Sequence, residues 1–325
     1  MPNIKDVAKL AGLSVGTVSR VLNNRGYISA KTRVKVENAM QQLYYVPNEL
    51  AKSIFRHCTK IIGVIVPSIS HPYFGKIVES MEHYAFQAGY KILLCNSYYD
   101  SKKEMECFQM LRSNKVDGII LASRSVELGN AVNWRLPLVT IDRILCENIP
   151  CVSLDNYQGG VLATRCLIDC GCRHLAYISG TPSLHLTANL RTNAFTDTCR
   201  KSGLEPVIIS TDESDFAAMD YEKKIARLFA DNPEIDGVFA SSDIIAAQVI
   251  HEAWKMGRRI PEDLHVVGFD DTSIARFSTP SLTTVSQPME SIGRYAVDII
   301  IRQIAGEIVP LRTVLPVSLV NRESS

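Results

Sequence analysis

The first residues that could do chemistry lie in Ser14-Val15-Gly16-Thr17-Val18-Ser19-Arg20-Val21-Leu22-Asn23. The periodicity predicts a helix over Val15–Leu22, with Val18, Val21 and Leu22 on its buried side. Ser14 can cap it, its side-chain oxygen accepting from free backbone N–H groups of the first turn. Arg20 then faces outward, and its planar fork suits the O6 and N7 atoms of guanine. Val15 and Gly16 offer only an apolar surface or close backbone approach, while Thr17, Ser19 and Asn23 could hold phosphate. A second set fits a polyhydroxylated ligand. Asp142, Asp243 and Asp270 stand just past short apolar runs, and Arg191 early in a helical stretch. A carboxylate or guanidinium can bind two adjacent hydroxyls, and Tyr73, Phe74 and Phe216 could cover an apolar ring face. A helix N-cap explains an aspartate after a strand equally well, above all Asp243 and Asp271.

Signatures of catalysis are missing. No Gly-x-Gly-x-x-Gly, Gly-x-x-x-x-Gly-Lys-Ser/Thr, Gly-x-Ser-x-Gly or His-Glu-x-x-His occurs, and the seven histidines lack metal-ligand spacing. Asp270-Asp271 are adjacent, and neighbours after a strand usually point apart. The expectation is no catalytic residue, no metal and no cofactor.

Three short helices can carry the first set. Ile4, Val7, Ala8 and Ala11 share one face, and Gly12 follows where a helix would stop. Ser29 can cap a third helix with Val36, Ala39, Met40 and Leu43 inside. A small residue at Ala8, a turn at Gly12 and a β-branched lock at Val18 give helix-turn-helix spacing, which sends the second helix into the major groove. Next, Pro47 stops the chain and Asn48 can cap a short helix to about Arg56, exposing Leu50, Ile54 and Phe55. Such residues suit a minor-groove wedge, or a linker packed on the remainder.

The 325 residues hold 35 Lys+Arg against 34 Asp+Glu, a net charge of +1. Residues 1–60 hold 10 basic and 3 acidic side chains, a net of +7; the other 265 hold 25 and 31, a net of −6. A basic head on an acidic body suggests a polyanion contact at one end, although a solvated basic face explains the charge alone equally well. At 46% hydrophobic and 21% charged the chain is no disordered polyelectrolyte. No apolar run reaches the ~20 residues of a membrane span. The start lacks a signal-peptide stretch, and nine cysteines without Cys-x-x-Cys fit a reduced cytoplasm.

The body alternates strands at 61–66, 91–95, 118–122, 138–141, 152–154, 175–179, 207–209, 237–240, 266–269 and 283–285 with helical stretches such as 74–89 and 157–171. This βαβ rhythm predicts an α/β body of two doubly wound parallel sheets, with a cleft at the carboxyl ends of the strands.

Asn3-Ile4-Lys5-Asp6-Val7-Ala8-Lys9, the Ser14–Asn23 run and Tyr45-x-Pro47-Asn48 resemble the N-terminal signature of the lac-repressor (lactose/galactose repressor) family. Ile62-Gly63-Val64-Ile65-Val66-Pro67, Asp142-Arg143, Asp155-Asn156, Val267-Gly268-Phe269-Asp270-Asp271 and Thr283-Thr284-Val285-x-Gln287-Pro288 continue it through the body. The resemblance implies a homodimeric transcription regulator: a helix-turn-helix domain (1–46), a hinge helix and linker (47–60), and a periplasmic-binding-protein-like body (61–325). Its lobes would be about 61–156 with 287–314, and about 157–286 with 315–325. By the match Val15, Gly16 and Arg20 read bases, Asn48 and Ala51 lie in the hinge, and Ile54 replaces the usual leucine wedge. Asp142, Arg191 and Asp270 would contact a sugar effector, Tyr73 and Phe74 face it, and Phe216 is placed loosely. Asn24–Ser29 and 142–160 resemble sucrose-operon repressors. The absence of a heptad tail favours a dimer over a tetramer. A regulator answering to a corepressor or protein partner, and a sugar-binding module without DNA, are the alternatives.

Overall fold

The structure is a computed structural model that describes residues 2–46, 58–122, 136–180 and 186–325. Asn48, Ala51 and Ile54, expected in a hinge helix, lie outside the described residues. The chain divides into two compact units, Met1–Thr59 and Lys60–Ser325.

Among its described residues the first unit holds three helices, α1 (Ile4–Ala11), α2 (Val15–Leu22) and α3 (Ala30–Gln42). Asn3 opens α1 with a capping box completed by Asp6. Gly12 ends it at φ 65, a left-handed conformation that glycine adopts without strain. Ser14 and Ser29 cap the next two helices, accepting from Thr17 N at 3.1 Å and Thr32 N at 3.2 Å. Val7, Ala8, Val18, Val21, Val36 and Ala39 form the buried core. Leu13, Ile28 and Tyr45 seal its edges. Leu13 and Ile28 sit between helices and Tyr45 past the end of α3, where periodicity carries no information.

The second unit holds two six-stranded sheets. In the first, β1 (Ile61–Val66), β2 (Lys91–Asn96), β3 (Gly118–Leu121), β4 (Leu138–Ile141), β5 (Cys151–Leu154) and β11 (Arg312–Leu315) run in the order β11-β5-β4-β3-β1-β2, all parallel. In the second, β6 (Leu175–Ser179), β7 (Val207–Ser210), β8 (Gly237–Ala240), β9 (His265–Asp270), β10 (Thr283–Ser286) and β12 (Ser318–Val320) follow β12-β10-β9-β8-β6-β7. Its edge corrects the expectation of a wholly parallel sheet, because β12 runs antiparallel to β10. The chain leaves β11 at the carboxyl end of the first sheet and enters the second sheet from its carboxyl ends with no helix between, so β12 runs against β10. Neither strand is a run of apolar residues: in β11 only Leu315 is buried, and in β12 no residue is.

Among the described residues the body helices are α4 (Pro72–Gln87), α5 (Ser101–Ser113), α6 (Asn156–Asp169), α7 (Leu190–Lys201), α8 (Glu213–Ala218), α9 (Glu222–Asp231), α10 (Asp243–Lys255), α11 (Ser273–Phe277) and α12 (Met289–Ile304). The chain passes between the sheets three times, from β5 to α6, from β10 to α12 and from β11 to β12. In each sheet the strand order reverses beside its first strand, so a ligand-sized crevice forms beyond the carboxyl ends there. All nine cysteines are free thiols. No helix among the described residues is long and apolar enough to cross a membrane.

Helices α4 and α12 cover one face of the first sheet and meet at Gly293. A Cβ there would lie 2.4 Å from Ser80 Oγ, 2.6 Å from Ser80 Cβ and 2.9 Å from Met81 N. Alanine would gain up to about 1 kcal/mol of helix propensity. Overpacking against a backbone atom costs about 1–3 kcal/mol and wins. Gly293→Ala should therefore lower the urea midpoint of the body; an unchanged or raised midpoint would show that the two helices can separate freely.

Candidate functional site

Two surfaces carry the candidate residues. On the head, α2 presents Val15, Gly16 and Arg20 to solvent, with Val15 40% exposed although apolar. Thr17 Oγ1 lies 2.9 Å from Ser14 Oγ, so the hydroxyl that could reach phosphate also helps close the helix start. Asn23 differs from the expectation of a phosphate contact. Its Nδ2 donates back to Ser19 O at 2.8 Å and Ser19 Oγ at 3.3 Å, which ties both donors to the end of α2. Short amides near a helix end bond their own backbone in this way. Lys5, Lys9, Arg25, Lys31 and Lys35 are exposed on the same unit.

The body holds a cavity at the carboxyl ends of both sheets. About 840 Å³ lies between its atoms, mouth included, of which about 100 Å³ is roomy enough for the centre of a water molecule. From the first sheet come Ala122 after β3, Ile141 at the end of β4, Asp142 beyond it, and Tyr73 and Phe74 from the first turn of α4. From the second come Gly180 after β6, Ser241 and Ser242 after β8, and Asp270 at the end of β9. Arg191 stands in the first turn of α7, Phe216 in α8 and Gln287 just past β10. The cavity thus brings together Tyr73, Phe74, Asp142, Arg191, Phe216 and Asp270.

Arg191 is buried and held on three sides. Its Nε donates to Asn156 Oδ1 at 2.8 Å and its Nη1 to the Ser241 carbonyl at 2.9 Å. Its guanidinium lies 3.4 Å from the centre of the Phe269 ring, a cation–π stack. Asp142 accepts from Tyr73 Oη at 2.8 Å and from Thr187 Oγ1 at 3.1 Å. Burial first, and then Asp142, push the Tyr73 phenol well above its usual range, so it stays a donor. Asp270 accepts from Gln287 Nε2 and takes φ 115, a conformation that L residues rarely adopt. Burial pushes its carboxyl well above the ordinary range, and the neighbouring Asp243 adds to the rise.

Asp243 is a correction. It is fully buried and does not line the cavity. Its Oδ2 accepts from Thr272 N at 2.7 Å and Thr272 Oγ1 at 2.9 Å, and its Oδ1 from Thr284 Oγ1 at 2.6 Å. The cap of α10 is Ser242, one residue earlier, so the carboxylate is free to turn inward and tie the end of β9 to β10. Burial raises it to about 6. Asp271 pairs with Arg322 at 2.5 Å, and Arg143 lies 3.9 Å from buried Glu104; neither lines the cavity. Gln287 and Asn156 enter the sequence reading only as motif residues with no site role, and Thr187 does not enter it. Gln287 stands just past a strand end, where the rule that found Asp270 applies; Asn156 and Thr187 act through other side chains and leave no local signal.

A carboxyl raised on folding holds a proton that the unfolded chain has lost. Its stability contribution is then greatest below the unfolded value of about 3.9 and is lost as pH rises through the folded value. Asn at position 270 keeps an acceptor for Gln287 and removes the buried charge. Asp270→Asn should therefore melt above the parent protein at pH 7.5, with the gap closing toward pH 4. A gap that is reversed, or constant across that range, would show that the carboxylate is not penalised by its surroundings.

The comparisons with known proteins agree with this layout. Residues 3–48 match the model of bacterial regulatory proteins of the lacI family, and residues 164–325 match a periplasmic binding protein-like domain. The ribose operon repressor of Halalkalibacterium halodurans is 37% identical over 100% of this chain and 97% of its own length. The sucrose operon repressor of Streptococcus mutans is 36% identical over 99% of this chain and 98% of its own. Among solved structures, the lac repressor dimer bound to operator and the anti-inducer ONPF superposes with a TM-score of 0.88, 26% identity and coverage of 99% and 98%. With relatives this similar along its whole length, the chain belongs to the lacI family of bacterial regulatory proteins.

Proposed function

We propose that this protein is a homodimeric, sequence-specific repressor of a carbohydrate-utilisation operon, released from a pseudo-palindromic operator by a sugar bound in the body. The observation that carries this reading is one chain holding both parts: an exposed arginine on the second helix of a helix-turn-helix, and a cavity in which Asp142, Arg191 and Asp270 meet aromatic faces. Relatives named as repressors of ribose and sucrose operons support it. The sucrose operon is one candidate target, on the resemblance of residues 24–29 and 142–160. The cleft is read as a binding site, in which Asp142 holds Tyr73 and Asp270 holds Gln287 while both keep acceptor capacity for a ligand.

Arg20 reads a base, with Val15 and Gly16 beside it; Ser14, Thr17 and Ser19 place the helix on phosphates. A paired hinge with Asn48, Ala51 and Ile54 in the minor groove completes the interface. Sugar acts by binding two arrangements of the lobes with different affinity, since equal affinity would shift nothing.

Arg20→Ala should lose about 1–3 kcal/mol of operator affinity and relax selectivity at one base pair, read by anisotropy on single-substitution operators. Equal loss on every sequence would make Arg20 a phosphate contact. Asp270→Asn should bind operator as the parent does and ignore a releasing sugar found by screening the parent. Normal release by that sugar would return Asp270 to a structural role.

A further inference from the structure

The charge and shape of the cavity limit what it can hold. Among the described residues Arg191 is the one cation in its lining, facing the carboxylates of Asp142 and Asp270. Buried Asp243 adds a third acid behind the wall, close enough to act on Asp270. The guanidinium is also largely committed, to Asn156, to the Ser241 carbonyl and to the Phe269 ring. Gln287, 6% exposed, gives its amide hydrogen to Asp270, and its Oε1 is buried with no donor. The amide is set with its Nε2 toward Asp270 Oδ1, which leaves Oε1 for a donor from a ligand.

The lining is therefore rich in acceptors and poor in free cations. A phosphate brings about −1.5 to −2 charges and three acceptor oxygens. Inside this cavity it would meet the acids Asp142 and Asp270 and one edge of a guanidinium whose other donors are taken by Asn156 and the Ser241 carbonyl. A polyol has no such conflict, since each hydroxyl donates to Asp142, Asp270 or Gln287 Oε1 and can accept from the remaining edge of Arg191.

Size points the same way. Sites for drug-sized ligands run to roughly 300–1,000 Å³, and here only about 100 Å³ is roomy enough for the centre of a water molecule. One side is closed by Phe216, which reaches from α8 in the second lobe to stack on His71 in the first, 5.2 Å between centroids and 10° between planes. Tyr99 meets the same ring edge-on at 5.2 Å. Helix α8 is fixed by a capping box between Asp212 and Asp215 and by Lys224, 3.1 and 2.6 Å from their carboxylates.

We propose that the cleft takes one unphosphorylated monosaccharide ring, and that Phe216, stacked on His71, sets that size limit. This rests on reading the cleft as the effector site. The test is calorimetric titration of the full chain with D-ribose, D-fructose and D-glucose, with ribose 5-phosphate, fructose 6-phosphate and glucose 6-phosphate, and with sucrose and cellobiose. At least one monosaccharide should bind, its phosphate at least 100-fold more weakly and both disaccharides at least 30-fold more weakly. Phe216→Ala, or Phe216→Leu should the alanine variant fail to bind operator, should shrink the mono- to disaccharide ratio at least tenfold. A phosphate or disaccharide that binds the parent as tightly overturns the proposal, and an unchanged ratio in both variants removes Phe216 from it. Binding of no saccharide by a chain that still binds operator DNA would instead sink the effector reading itself.

Discussion

The buried guanidinium of Arg191 is the contact on which the arrangement of the body depends. A charge removed from water is costly unless every side of it is satisfied. Satisfying this one fixes the first turn of α6 through Asn156, the end of β8 through the Ser241 carbonyl and the end of β9 through Phe269. The chain of bonds then continues. Asn156 Nδ2 donates to Thr187 Oγ1 at 3.2 Å, Thr187 Oγ1 to Asp142 Oδ1 at 3.1 Å, and Tyr73 Oη to Asp142 Oδ2 at 2.8 Å. A continuous polar path therefore runs from the second sheet to the first, along the floor of the cavity. Its members act as a unit, and removing one leaves the next with a buried group unmatched.

Holding these groups has a cost in stability. Asp142, Asp270 and Asp271, all at or just past strand ends, have positive φ. Asp243 and Asp270 are buried acids whose carboxylates are disfavoured by their surroundings. Strain and burial of this kind persist only where the surrounding structure imposes them, and they collect at binding sites. The same body contains the apolar scaffold that can carry the cost, with β1 and β9 each buried over five consecutive residues. Asp243 works for that scaffold: three donors from Thr272 and Thr284 turn a carboxylate behind the cavity wall into a tie between β9 and β10.

The parts of this protein that were legible in its sequence are those written locally. Ser14, Ser29 and Gly12 mark helix ends by the chemistry of one residue, and the structure uses each in that way. Eight of the ten strands found as apolar runs lie inside the sheets, where both faces are covered, while the edge strands β2 and β7 are apolar in type although only Cys95 among their residues is buried. The edges β11 and β12 escape because each offers only two apolar residues in a row. At the cavity, the strand-end rule found Asp142 and Asp270 from type and place. It overreached at Asp243, where a neighbouring serine took the cap and turned the acid inward. Asn156 and Thr187 could not be found this way, since their importance lies in residues up to 45 positions distant in the chain.

The split of charge between the two units bears on how a signal could pass between them. An uncharged sugar alters no field at a distance, and at physiological salt charges beyond ~8 Å are largely screened. The +7 counted over residues 1–60 therefore finds no charge on such a ligand to respond to. What the sugar can change is the set of bonds between the lobes: Asp142 to Thr187 on the floor, and Phe216 to His71 at the side. Both contacts join one sheet's half of the body to the other's. The three passages of chain between the sheets are the covalent links that any shift of one lobe on the other must strain. On this reading the coupling is mechanical, and its size is the difference in sugar affinity between the two lobe arrangements.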